Sequence, residues 1–229
     1  MPAPSLAAVL ESAARLQEVV PDAVLVGGSA AAYYANHRDS FDHDHVLADL
    51  RDRFDLVLEA IERTEGWVTN RVTPGKIILG ELGDIEAGVR QLIRRRPLEV
   101  AEVELAPGRR LRVPTFDEIL RVKAFLIVRR NQTRDFLDVA ALSDRAGIDP
   151  AARVLAHIDA YYADQRGGGD GVASQVARQL AEPRPADART TRELARYKRL
   201  DPRWHDWKAV VATCAAVAER MAAPSDGAP

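Results

Sequence analysis

Two aspartates separated by a single residue, Asp42 and Asp44, are the side chains of this sequence best placed to do chemistry. At i and i+2 of a strand both carboxylates point to one face, while Phe41, His43 and His45 point to the other. Two carboxylates side by side repel unless a cation lies between them, and a pair of hard oxygen donors suits Mg²⁺. Upstream, Gly27-Gly28-Ser29 interrupts the apolar run Ala23-Val24-Leu25-Val26 and opens a helix at Ser29 that continues through Ala35. Glycines let the backbone approach an anion, and a helix N-terminus offers free N–H groups and a favourable dipole. The Ser29 hydroxyl adds a donor or caps the helix. Alone, the Gly-Gly-Ser turn is an ordinary strand–turn–helix, and the acid pair alone is a solvated strand edge. Together they describe a place for a phosphate group and a divalent cation.

Further residues could extend such a site. The turn Gly83-Asp84 predicts a two-residue hairpin that pairs Leu82 with Ile85 and Glu81 with Glu86. Glu86 is the candidate third metal ligand or general base, with Glu81 in reserve; both could equally be solvent-facing, with Arg90 as their counter-ion. Lys123 lies among Ile119, Leu120, Leu126 and Ile127 at helical spacing, so it must snorkel or meet a partner. Asp135 and Asp138, at i and i+3 of the next helix, are the candidate partners. Such a pair is either structural or a lysine held ready for nucleotide phosphates.

Other patterns carry less. His37, His43 and His45 lack cysteine partners for zinc, and Pro74-Gly75-Lys76 lacks the upstream glycine and the Ser/Thr of a P-loop. Arg94-Arg95-Arg96 and the series Arg184, Arg189, Arg192, Arg196, Lys198, Arg199, Arg203 are locally basic and read as solvated faces or as phosphate contacts to RNA. Tyr197, Trp204 and Trp207 could stack bases or fill the core.

The elements that must position these residues follow from periodicity. A helix over residues 5–20 ends at Pro21-Asp22; strands follow at 23–26 and 41–47, with a helix at 49–64. The hairpin covers 76–82 and 85–90, and a second strand pair, 98–105 and 109–113, turns at Pro107-Gly108. Beyond Pro114 the pattern is helical, near 115–130, 133–146, 150–163, 171–181, 187–198 and 205–222. Gly167-Gly168-Gly169 and Pro183 to Pro185 read as flexible punctuation. The expected organisation is an α/β half, residues 1–113, and a helical half, residues 114–229, that completes a cleft. The 229 residues are 47% hydrophobic, enough for a real core, and a net charge of −2 does not mark a bulk nucleic-acid binder, so any basic footprint must be local. One cysteine, Cys214, excludes an intrachain disulfide. The first twenty residues lack both a basic leader and a continuous apolar stretch, so the expectation is a cytoplasmic protein with no membrane partner.

Over residues 20–145, Val26-Gly27-Gly28-Ser29, His37-Arg38-Asp39-Ser40-Phe41-Asp42-His43-Asp44, Lys123 and Arg134-Asp135 with Asp138 resemble the AbiEii/AbiGii-type nucleotidyltransferase toxins, a group that includes the mycobacterial minimal nucleotidyltransferase toxins. The resemblance implies a mixed α+β sheet of the polymerase-β-like nucleotidyltransferase kind followed by a helical domain. It implies that Gly27, Gly28 and Ser29 bind an NTP, that Asp42 and Asp44 hold Mg²⁺, and that Lys123 with Asp135 or Asp138 completes the catalytic set. The implied activity is transfer of a nucleotide to an RNA acceptor, the tRNA 3′ end in some members, which blocks translation. It also implies a cognate antitoxin, in some members a kinase acting on the residue two before the first aspartate, here Ser40. The alternatives are nucleotidylation of a small molecule or a protein hydroxyl, or a non-catalytic nucleotide-binding relative. His43 and His45 depart from the aliphatic or aromatic residues expected there, and the second hairpin strand carries Glu86 and no aspartate.

Overall fold

The computed structural model describes residues 3–106, 108–165 and 169–223. Pro107 of the expected Pro107-Gly108 turn, and Gly167 and Gly168 of the expected glycine linker, lie outside the described residues. The chain divides into two compact units, Met1–Glu118 and Ile119–Pro229.

The first unit is built on a five-stranded mixed sheet with strand order β1-β2-β5-β4-β3. Its strands are β1 (Val24–Val26), β2 (Asp42–Leu47), β3 (Trp67–Thr73), β4 (Ile77–Leu82) and β5 (Ile85–Gln91). Only β2 and β5 run parallel; the other pairs are antiparallel. The Gly83-Asp84 turn sets the hairpin in the register its sequence demands, Leu82 opposite Ile85 and Glu81 opposite Glu86, with Gly83 at φ 66°. Helix α1 (Leu6–Val19) is capped by the Ser5 hydroxyl, which accepts from Ala8 N–H at 3.2 Å. Leu16 of this helix and Val20, its C-cap, join Leu47, Phe54, Ile78 and Val89 in the core. Helices α2 (Gly27–Ala35) and α3 (Phe54–Glu62) complete this layer. The hairpin of β6 (Val100–Ala106) and β7 (Arg109–Pro114) forms a separate two-stranded sheet.

In the second unit α5 (Thr133–Ala146), α6 (Ile148–Ala156) and α7 (Val172–Ala181) each pack against α8 (Trp207–Ala222). Helix α4 (Phe116–Arg130) carries the boundary between the units. Cys214 of α8 is buried, and burial pushes its thiol pKa up to about 12, so it behaves as an apolar core group.

Several sequence expectations need correction. No α-helix covers 187–198; only two short 3₁₀ turns occur there, at Thr190–Arg192 and Leu194–Arg196. The Asp187 carboxylate accepts from Thr133 N–H at 2.7 Å and from Thr133 Oγ1 at 2.8 Å, so the segment's start is held by α5. Leu194 is its buried apolar anchor within the turns, too little to stabilise a short helix. Lys198 and Arg199, both at positive φ, then reverse the chain. The stretch Pro183 to Pro185 is tied down rather than loose, because the Arg184 carbonyl accepts from Asn131 Nδ2 and the next residue, Ala186, donates to the Asn131 carbonyl. Strand β3 had no counterpart in the sequence reading: it is an edge strand, mostly exposed, with no apolar alternation to betray it. The helices expected at 49–64 and 150–163 are shorter, Phe54–Glu62 and Ile148–Ala156.

Candidate active site

Strand β2 alternates partly exposed and buried residues, so Asp42 and Asp44 share the open face while His43 and His45 face the core. His43 Nε2 lies 3.1 Å from Ser12 Oγ of α1, and the two imidazoles meet edge to face at 5.3 Å. Burial lowers the His43 pKa from 6.5 to about 4, against the pull of the nearby Asp42 charge. Burial, and then the neighbouring His43, lowers His45 well below its usual value. These imidazoles pack beneath the acid pair, on the opposite face of β2.

This burial has a consequence for stability. Below pH 6.5 the unfolded chain takes up protons at both histidines while the folded chain does not, so stability is lost as pH falls toward about 4. From His43 alone, urea unfolding should show a loss of about 2 kcal/mol between pH 7 and pH 5. Equal stability at both pH values would contradict the neutral, buried assignment.

Helix α2 begins at Gly27, two residues before the expected start, with Gly27 at φ 75° and no side chain capping the first turn. Those first-turn N–H groups have no side-chain acceptor, the arrangement that suits an anion. Ser29 does not serve as the cap. Its buried hydroxyl donates to the Asp42 carbonyl at 2.5 Å and fastens α2 to β2. Gly28 has a different reason to be glycine: a Cβ there would lie 2.6 Å from Ser40 Oγ and 2.8 Å from an Arg38 guanidinium nitrogen. Ser40, buried, donates to Asp42 Oδ1 at 3.2 Å.

Asp44 lies between bare backbone on both sides. A Cβ at Gly27 would stand 3.5 Å from Asp44 Oδ2, and one at Gly88 would stand 2.8 Å from Asp44 Oδ1. Gly88 is the parallel partner of Asp44 in β5, as Glu86 is of Asp42. Arg90 Nε pairs with Asp44 Oδ1 at 3.2 Å. Glu86 therefore stands on the face of the acid pair, with Glu81 across from it and bonded by Asn70 Nδ2 at 3.2 Å. Among the described residues no three His, Cys, Asp or Glu side chains are grouped to hold a metal ion, so the third carboxylate is adjacent in register but not assembled with the pair. The pair itself fits Mg²⁺. It offers two hard oxygen donors on one face, and the absence of a Cβ at Gly88 is what lets the Asp44 carboxylate sit against β5.

In the second unit Lys123 Nζ lies 2.7 Å from Asp138 Oδ2, with both side chains essentially without solvent contact. Asp135 is held by Arg130, through Nε at 2.6 Å and Nη2 at 2.7 Å. Each acid of α5 therefore has its own cation within this unit. The sequence reading assigned no role to Gly88 or Arg38. Glycine two residues past Glu86 was the available signal for Gly88, but the parallel register that places it against Asp44 is a long-range fact.

The mixed sheet with its acid-bearing strand defines the fold class: this is a nucleotidyltransferase fold with a helical second unit. It superposes on MenT4, a nucleotidyltransferase toxin from Mycobacterium tuberculosis H37Rv, with a TM-score of 0.57 and 21% sequence identity, covering 95% of this chain and 83% of that one. No protein-family model matches the chain. In sequence it is similar to part of the heme uptake protein MmpL11 of Mycobacterium tuberculosis, 31% identical over 214 residues, which is 81% of this chain and 20% of that protein. It is also similar to the mycolic acid-containing lipids exporter MmpL11 of Mycolicibacterium smegmatis, 39% identical over 128 residues, 56% of this chain and 13% of that protein. The chain thus spans at most about a fifth of the length of the curated relatives it matches. Among the described residues no helix is long and apolar enough to cross a membrane.

Proposed function

We propose that this chain is a Mg²⁺-dependent nucleotidyltransferase toxin that moves a nucleoside monophosphate from an NTP to a hydroxyl of an RNA, the tRNA 3′ end, and so blocks translation in the cytoplasm. The observation that carries the reading is Asp42 and Asp44 side by side on the open face of β2, next to the uncapped glycine turn of α2. Mg²⁺ bound there supplies Lewis-acid activation of the acceptor hydroxyl and neutralises the departing pyrophosphate.

The chain's own groups supply the rest. Asp42 and Asp44 hold the cation; Glu86, next to Asp42 in register but not grouped with the pair, is the candidate third carboxylate that must move in to reach it. The Gly27-Gly28 turn presents backbone N–H groups to the triphosphate. Ser29 acts by fixing the Asp42 backbone, and Ser40 by orienting Oδ1 of the same residue. The proposed ligands all lie in the first unit; Lys123, Asp135 and Asp138 are assigned to holding α4 and α5 in the second.

Ser40 is also the proposed control point for an antitoxin kinase. A phosphate there would set about −2 charge against Asp42. Because Ser40 is buried, a kinase needs the chain around it to open first.

The acceptor is tested by incubating the protein with each α-labelled NTP, Mg²⁺ and total tRNA. The expected product is label in RNase-sensitive material from one preferred NTP. Label on protein or on a small hydroxyl compound alone would replace the RNA acceptor, and no transfer from any NTP would overturn the enzyme reading.

A further inference from the structure

Arg90 is positioned to do more than balance charge. Among the described residues it is the cation paired with Asp44, and it reaches that carboxylate from the strand position two beyond Gly88, on the same face of β5. The pair is a single hydrogen bond through Nε at 3.2 Å, not the two-pronged arrangement that makes arginine–carboxylate contacts strong. Its side chains are 45% and 31% exposed, Arg90 and Asp44 respectively, so solvent screens the attraction. Asp42 differs, since its Oδ1 is met by the neutral Ser40 hydroxyl. One carboxylate of the pair is therefore held by a neutral donor and the other by a weakly bound, displaceable cation.

We propose that Arg90 is an exchangeable counter-ion: it neutralises Asp44 before substrate enters, yields Asp44 to the incoming divalent cation, and turns its guanidinium to the triphosphate oxygens. The planar guanidinium suits phosphate, and the half-exposed side chain has room to turn. This rests on the proposed metal–triphosphate site. It predicts opposite effects on two ligands, which a merely structural arginine would not produce.

The test is Mn²⁺ titration by calorimetry without nucleotide, on the wild-type chain, Arg90→Gln, Arg90→Lys and Asp44→Asn, followed by binding of a non-hydrolysable NTP analogue with Mn²⁺ saturating. Arg90→Gln should bind Mn²⁺ up to about fivefold more tightly, the size of a weak exposed ion pair. The same variant should bind the analogue about tenfold more weakly, as expected for losing one hydrogen bond to a charged group. Arg90→Lys should keep wild-type Mn²⁺ affinity and recover part of the analogue affinity. If Mn²⁺ binding depends on Asp44 but Arg90→Gln leaves it unchanged or weaker, the exchange is overturned and the metal site stands. If Arg90→Gln tightens Mn²⁺ but leaves the analogue unchanged, the turn to phosphate is overturned. If wild type binds no Mn²⁺, or Asp44→Asn binds it equally well, the metal site fails and the exchange fails with it.

Discussion

Replacing Asp138 with alanine is expected to destabilise the protein by about 3–5 kcal/mol, because it strands the Lys123 ammonium in the second unit without a counter-charge. Lys123 cannot recover by turning to water, since its side chain is 1% exposed and sits among Leu120, Ile119 and Ile127, all buried. The cost belongs to the orphaned charge rather than to the contact itself. The double variant Lys123→Met, Asp138→Leu should therefore regain most of the loss, since a buried ion pair is often no more stable than a well-packed apolar pair of similar volume. Urea unfolding of the two variants beside wild type checks this. A loss under about 1 kcal/mol for Asp138→Ala would mean that the pair is not a closed, buried ion pair.

How much of this was legible in the sequence depended on the range over which each feature is fixed. The orientation of Asp42 and Asp44 against His43 and His45 follows from strand alternation alone, and the structure bears it out. The Glu81–Glu86 register was equally local, because Gly83-Asp84 permits a tight turn with little choice of pairing. The Lys123–Asp138 contact could be anticipated as one of two partners, since a lysine on an apolar stripe needs a carboxylate. Long-range pairing hid the rest. The parallel register of β2 on β5, which sets Gly88 against Asp44 and brings Arg90 to it, joins segments more than forty residues apart. The pattern after Pro185 reads as a helix over 187–198, whereas one buried leucine and the hold on Asp187 leave only turns. Ser29 was expected to open α2 and to cap it or add a donor, but the helix begins at Gly27 and the Ser29 hydroxyl goes to a strand carbonyl that the sequence does not bring near it.

Conversion of Asp42 or Asp44 to asparagine is expected to lower nucleotidyl transfer by about 10³-fold or more, the scale of removing a group that stabilises charge at the reacting phosphate. Asparagine keeps the size of the side chain, and at position 42 it keeps an oxygen that can accept from Ser40, so the fold should survive. At position 44 it weakens the Arg90 contact, which is exposed and worth at most about 1 kcal/mol. Loss of activity without loss of stability would thus report on the removed charge alone. The most direct test of the account is the rate of Mg²⁺-dependent transfer from an α-labelled NTP by wild type and by Asp42→Asn, with both proteins shown to unfold at the same urea concentration. The account predicts robust transfer by wild type and a loss of at least about 10³-fold in the variant; equal transfer by the two would contradict it.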